Sequence, residues 1–345
     1  MTAAEYNRMV EYNQNELSII IPTHCRCGQL EKCLDSIAAS SGLPNEFQVV
    51  VVDNGAEPDL DSANLCRSEK YAGLTLQSFY QPVAGTSAAR NFGAVHTDSE
   101  WLGFVDDDAI LPEGWLENAL KIIHRDQPDI FGGPYIPYYS CDKPAWFLDE
   151  YGSGSHGGEA HWLVDRSYLS ATNIIVKRSV FTAIGGFSTR YGGGAPIAFG
   201  EETDLQYRAA QEGYTIWYDP ELFVYHHVAP GKMHLNPFFK RASGHGQAKA
   251  FIFLSEFEPG NQKVRSSTIA RRLSYRFSAL LKRTFELLGK GILIPFRNRQ
   301  KYPYYQQYVI DQICPKISNI ALQWNLMRID LQVSQSKPLS TINEA

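Results

Sequence analysis

"LGFVDDDAIL" (residues 102–111) runs an apolar strand into three adjacent carboxylates, Asp106, Asp107 and Asp108. Leu102, Phe104 and Val105 have the composition of a buried strand, and the acids stand at its carboxyl end. Successive side chains of an extended chain point to opposite faces, so Asp106 and Asp108 share one side and Asp107 takes the other. Carboxylates this close repel one another and call for positive charge. Two oxygens converging at a strand end suit a hard divalent cation. An acidic turn, with its carboxylates solvated or capping the next helix, is the other reading of the same residues.

The neighbouring segments set this strand in a sheet. "LSIIIPT" (17–23) and "FQVVVVDNG" (47–55) are continuous apolar runs of the kind found in strands buried on both faces, and "TLQSFYQP" (75–82) reads as a third strand. Between them, "QLEKCLDSIAAS" (29–40) has Leu30, Cys33, Leu34 and Ile37 at helical spacing, and "GTSAARNFGAVHT" (85–97) reads as a helix of small residues. Strands alternating with helices predict an α/β fold with a mostly parallel sheet between helices. Ligands of such sheets bind beyond the carboxyl ends of the strands, where Thr23, Asp53 and the three acids all fall.

Further along, "ATNIIVKRSVFTAIGGF" (171–187) reads as a strand and short helix, and the glycine-rich "YGGGAPIAFG" (191–200) as a mobile loop. "EETDLQYRAAQEG" (201–213) is a helix whose first turn holds Glu201, Glu202 and Asp204, where the helix dipole favours anions. "TIWYDPELFVYHHV" (215–228) gives two extended pieces ending on His226 and His227, of which strand alternation admits one to a common site. Acids with one histidine make a plausible Mg²⁺ or Mn²⁺ shell. Beyond about residue 231 the α/β rhythm gives way to helical, basic sequence. The expected organisation is a polar segment (1–16), an α/β domain (17–230) and a helical basic extension (231–345).

Bulk properties narrow the classes. With 345 residues, 44% of them hydrophobic and 20% charged, the chain has the composition of a globular protein. A formal charge of −5 argues against general nucleic-acid binding. The six cysteines lack CxxC spacing, so they read as reduced thiols rather than a zinc site. The first sixteen residues hold no signal-peptide core, and no run of about 18 apolar residues occurs, so a cytoplasmic protein without spanning helices is expected.

Taken in order, "IPTHCRCGQLEKCLDSI", "VVVVDNGA", "GTSAARNFGA", "LGFVDDDA", "GGF", "GEETDL" and "VYHH" resemble a family 2 glycosyltransferase of the GT-A fold, over roughly residues 17–228. The resemblance implies an inverting transfer of one sugar from a nucleoside-diphosphate sugar to an acceptor hydroxyl on a glycan or lipid-linked saccharide, dependent on Mg²⁺ or Mn²⁺. It implies that Pro22 and Thr23 lie beside the nucleotide, and that Asp53 bonds the base. Where the family has acidic-Gly-Ser this chain has Asn54-Gly55-Ala56, which loosens the expected base preference. Arg90 and Asn91 fall near the diphosphate and donor sugar. Asp106 contacts the ribose and Asp108 the metal, in the Asp-x-Asp pattern. Glu202 takes the place of the catalytic base, usually an aspartate, and His226, with His227 as fallback, that of the metal-linked histidine. Glu201, Asp204 and the aromatic Trp146 and Trp162 are candidates for binding the acceptor.

Other classes fit less well. A nicotinamide oxidoreductase would show G-x-G-x-x-G after the first strand, where this chain has "IIIPTHCRCG". A nucleotidyltransferase would carry a Gly-rich phosphate loop there, and a processive synthase would need membrane spans. A non-catalytic sugar-nucleotide or glycan-binding module on a degenerate transferase fold is the alternative that the intact acids argue against. Eleven basic residues and one acid, Glu286, lie between Lys263 and Lys301, with Leu273, Phe277, Leu280, Leu281, Phe285 and Leu288 at helical spacing. That segment is expected either to dock on an anionic membrane, placing the protein peripherally on an inner face, or to pack its apolar stripe on the rest of the chain.

Overall fold

The computed structural model describes residues 15–39, 47–253 and 266–335; most of the polar segment 1–16 lies outside them. The described chain divides into two compact units, one of residues up to 143 with 148–230, the other of 144–147 with the residues from Gly231 onward.

The first unit is built on an eight-stranded sheet. Its strands are β1 (Leu17–Thr23), β2 (Phe47–Asp53), β3 (Leu76–Tyr80), β4 (Trp101–Val105), β6 (Ile130–Gly132), β8 (His161–Trp162), β9 (Asn173–Lys177) and β10 (Ile216–Tyr218). The order is β3-β2-β1-β4-β9-β6-β10-β8. The β3-β2-β1-β4 half is parallel, β6 and β10 pair in parallel, and β9 runs antiparallel between β4 and β6. Every residue of β1 and β2 is buried, as their unbroken apolar runs require when helices cover both faces. Alternation sends Ile19, Ile21, Val49 and Val51 to one face, where they meet Leu30, Cys33, Leu34 and Ile37 of α1 (Cys27–Ala39) and the buried side of α4 (Trp115–Arg125). Ile20, Val50, Val52 and Phe104 go to the other, against α3 (Thr86–Val95), α5 (Arg178–Ala183) and α6 (Glu201–Gln211). The short α2 (Leu60–Cys66) follows β2, capped by Asp59.

A second, three-stranded sheet lies where the site will be: β5 (Ala109–Ile110), β11 (Val224–His227) and β7 (Tyr135–Tyr138), in the order β5-β11-β7. The chain turns between β4 and β5 through the three acids, closed by Ala109 N–H donating to Asp106 O at 3.0 Å. Pairing of β11 with β5 then sets His226 opposite Ala109, one residue beyond Asp108.

The second unit is helical: α7 (Leu235–Ile252), α8 (Ser266–Ile292), α9 (Tyr305–Tyr308), a π-turn (Val309–Ile313) and α10 (Cys314–Gln335). Arg276 on α8 forms a buried ion pair with Asp330 on α10. The apolar residues expected to share one stripe of α8 divide between two faces. Leu273 and Leu280 are half-buried, whereas Phe277, Leu281, Phe285 and Leu288 are exposed. Among the described residues no helix is long and apolar enough to cross a membrane.

Candidate active site

The carboxyl ends of β1, β2 and β4 bring together Thr23, Asp53 and the acid cluster. Asp107 lies in the turn after β4, outside the group that Asp106 and Asp108 form with His226, although Arg26 ties it to Asp108. It is buried and accepts hydrogen bonds from Thr23 Oγ1 at 2.8 Å and Arg26 Nη1 at 3.1 Å. Burial pushes its carboxyl up to about 6, against the pull of Arg26, and the flanking acids add to the rise. Asp106 and Asp108 lie together with His226. One ligand atom from each of these three lies within 4.8 Å of the other two, and His226 Nε2 is 3.0 Å from Asp108 Oδ1. Tyr135 packs edge-on against the His226 ring. Two carboxylates and an imidazole are a donor set suited to Mg²⁺ or Mn²⁺, so the residues present fit a divalent cation. His227 points elsewhere, buried beside Tyr138 with Ser140 Oγ at 2.9 Å from its Nε2. Of the two histidines, His226 is the one that lies with Asp106 and Asp108.

Arg26, just before α1, also reaches Asp108 Oδ2 at 3.3 Å. It is half-exposed, and it gives two of the acids a protein cation. The spacing of motifs gave no reason to single it out; a lone arginine just past the end of β1, facing three acids, was the signal.

Arg90 joins two parts of the site. It is nearly inaccessible, with Nη2 at 2.8 Å from Asp106 Oδ1 and Nη1 at 3.4 Å from Glu201 Oε1. Burial works against its charge, but Asp106 and Glu201 outweigh it and hold the guanidinium protonated. It thus ties the end of β4 to the first turn of α6. The loop before α6 is pinned on the same side. Thr86 N–H donates to Gly193 O at 3.0 Å, Ser87 Oγ donates to Tyr191 O at 2.7 Å, and Tyr191 and Ile197 are buried. The mobile loop expected from "YGGGAPIAFG" is therefore anchored to the start of α3. Gly192 has φ +105°, and a Cβ there would lie 2.8 Å from Thr86 Oγ1 and 3.3 Å from the Glu201 carboxyl carbon. Only glycine lets the loop lie this close to Glu201.

Glu202 lines a cavity of about 260 Å³ with Thr203, Gly133, Tyr135, Ser155, His156 and Tyr168 among its walls. Burial, reinforced by the Glu201 charge, pushes its carboxyl up to about 8, while Arg90 pulls the other way. Tyr135 is shared: it touches His226 on one side and lines the Glu202 cavity on the other. Tyr135 thus stands between the Asp106, Asp108 and His226 group and a carboxyl that can exchange a proton at mildly alkaline pH.

The glycosyl transferase family 2 profile matches residues 18–188. Asp106 and Asp108 lie within that span, and Glu202 and His226 lie beyond it. This chain is a family 2 glycosyltransferase. The transferase is 23% identical over 214 residues to glycosyltransferase AglE of Haloferax volcanii, across 62% of this chain and 67% of that protein. It is 28% identical over 200 residues to the glucosyl-dolichyl phosphate glucuronosyltransferase of the same organism, across 51% of this chain and 57% of that one. In three dimensions it resembles the mannosyltransferase PcManGT from Pyrobaculum calidifontis, in complex with GDP-Man and Mn²⁺. The TM-score is 0.55 at 19% identity, over 89% of this chain and 88% of the other. The likeness supports the GT-A fold.

Several residues expected at the donor or the acceptor already have partners within the transferase. Asp53 is fully buried, its oxygens taking Gly55 N–H at 2.9 Å and Asp59 N–H at 2.6 Å. These bonds shape the loop after β2. Asn91 holds both the N–H and the C=O of Phe187, fixing the Gly185-Gly186 turn. Pro22 and Thr23 are buried at the end of β1. Asp204 is taken up by Arg208 at 2.7 Å and does not line the Glu202 cavity. Trp146 packs with Phe147 and Phe238 in the helical unit. Trp162 is exposed on edge strand β8 against Trp217. The cavity residues Ser155, His156 and Tyr168 were missed: they come from an irregular stretch with no periodicity to mark them.

Proposed function

We propose that the enzyme moves one sugar from a nucleoside-diphosphate sugar to an acceptor hydroxyl on a saccharide or lipid-linked saccharide, with inversion at the anomeric carbon. The observation that carries this reading is the placement of Asp106, Asp108 and His226 next to the cavity that holds Glu202. Asp108 and His226, with Asp106, would hold Mg²⁺ or Mn²⁺. When bound, such an ion supplies Lewis-acid stabilisation of a departing diphosphate. Glu202, deprotonated, accepts the proton of the acceptor hydroxyl as its oxygen bonds the anomeric carbon and the nucleoside diphosphate leaves with the bonding electrons. Arg90 keeps Asp106 and Glu201 in place for this step, and Asp53 holds the loop that borders the donor. GDP-Man and Mn²⁺ in PcManGT, and the lipid-linked sugar named for the H. volcanii glucuronosyltransferase, support a donor and acceptor of these classes.

A panel of nucleotide sugars, assayed for nucleotide release with and without chelator, tests the reading. One donor should be turned over, and both chelator and Asp108→Asn should abolish turnover. Full activity of Asp108→Asn in chelator would overturn it. The anomeric configuration of the product, read by proton NMR, tests inversion.

A further inference from the structure

Helix α8 runs 27 residues, about 40 Å, and carries two apolar faces. One faces its own unit: Arg276 is buried on Asp330, and Leu287 packs beside the cluster of Tyr302, Tyr308 and Val309. The second face meets solvent. Phe277, Leu281, Phe285, Leu288 and Ile292 are each between 45% and 71% exposed. At 3.6 residues per turn they fall within an arc of about 80°. Phe296, in the turn just beyond the helix, is 79% exposed. Isolated exposed apolar residues are ordinary, but a continuous row of this length is a mark of an interaction surface.

The charges beside the row choose its occupant. Arg271 and Lys282 are exposed about 40–60° further round the helix, and Arg299 and Lys301 are exposed in the segment that follows. Glu286, the lone acid between residues 263 and 301, is held by Arg283 and Lys316. An apolar row with cations along one border and at its end is the pattern of a helix lying in the plane of an anionic bilayer surface. A second copy of the chain would bring to this face the same cations and, from this segment, no acid except Glu286, which Arg283 and Lys316 already hold.

We propose that α8 and the turn after it form a membrane-docking face. Phe277, Leu281, Phe285, Leu288, Ile292 and Phe296 enter the headgroup–acyl boundary of an anionic bilayer, and Arg271, Lys282, Arg299 and Lys301 contact its headgroups. This goes beyond the transfer reaction and does not rest on it: either can fail alone.

The test is co-sedimentation of the full chain with two kinds of vesicle, pure phosphatidylcholine and phosphatidylcholine with roughly one-third phosphatidylglycerol. Each is run at low and high salt. The wild type should bind the anionic vesicles more strongly, and less at high salt. The double variant Phe285→Ser/Ile292→Ser should lose partitioning by about tenfold or more, since both side chains are apolar anchors. Arg271→Glu/Lys282→Glu should lose the preference for anionic lipid. All these positions are exposed, so each variant should keep the wild-type circular dichroism and nucleotide release from donor. Failure to bind either vesicle, equal salt-insensitive binding to both, or undiminished binding by Phe285→Ser/Ile292→Ser would overturn the proposal. So would sedimentation velocity showing a dimer that Phe285→Ser/Ile292→Ser breaks while vesicle binding is absent.

Discussion

Arg26 occupies a carboxylate that a divalent cation held by Asp108 would also need. The guanidinium sits 3.3 Å from Asp108 Oδ2 and 3.1 Å from Asp107 Oδ1, so it relieves the repulsion among the acids when no other cation does. Arg26→Ala removes the competitor and should tighten Mn²⁺ binding several-fold, read directly by electron paramagnetic resonance of free Mn²⁺. Unchanged or weaker affinity would show that Arg26 is no competitor. Glu202 gives a second prediction, with a sign that can be worked through. Its carboxyl ordinarily titrates near 4.5 and is pushed up to about 8 in the folded chain. Between those values the folded state holds a proton that the unfolded state releases. Stability therefore falls as pH rises through that window and levels off above about 8. Glu202→Gln removes this contribution, so its denaturation midpoint should drop less than the wild type's between about pH 5 and 8. The same variant should keep donor binding and lose transfer by about 10² or more, the scale of general-base catalysis. In the wild type, kcat/KM should rise with pH toward a plateau above about 8.

At the scale of elements, what the sequence disclosed follows the periodicities it contains. Strand alternation was the ground for setting Asp107 apart and for choosing one histidine; Asp106, Asp108 and His226 do lie together, but the acids stand in the turn after β4, where that alternation no longer holds. The second sheet was not foreseen, because β5 is two residues long and β7 carries Pro137; such strands exist through their partners rather than their propensity. The donor roles expected of Asp53, Asn91 and Arg90 met side chains already engaged with their own backbone or with other charges, and only tertiary structure shows that. The stripe of α8 was legible as apolar, but leucine packed on a neighbouring helix and leucine facing solvent look alike in a sequence. Helix packing also yields a prediction. Gly246 on α7 lies so close to α10 that a Cβ would stand 2.1 Å from Ser318 O and 2.8 Å from Ala321 Cβ. Backbone cannot yield as a flexible side chain can. Gly246→Val should therefore force the helices apart and destabilise the helical unit by about 1–3 kcal/mol, the range for overpacking. Urea denaturation followed by the signal of Trp324 on α10 reads this out. A stability equal to wild type would show that the two helices separate freely.

The whole chain divides its chemistry between two units. Asp106, Asp108, His226 and Glu202 belong to the unit of the sheet, and the exposed face of α8 belongs to the helical one. Anything that binds only the folded state stabilises it in proportion to its saturation, by about 2.7 kcal/mol at a hundred times its Kd. Mn²⁺ with a nucleoside diphosphate should therefore slow amide hydrogen exchange in the first unit by up to about a hundredfold where exchange needs that unit to open. The turn 106–108, the start of α1 and the first turn of α6 should gain the most, since their side chains face the ligands. Helices α7, α8 and α10 hold none of these ligands, so their exchange should change little. Asp108→Asn should remove the protection at the acid turn without altering exchange elsewhere in the absence of ligand. Equal protection of both units would mean that they open as one cooperative body, and protection that survives Asp108→Asn would place the cation on other residues.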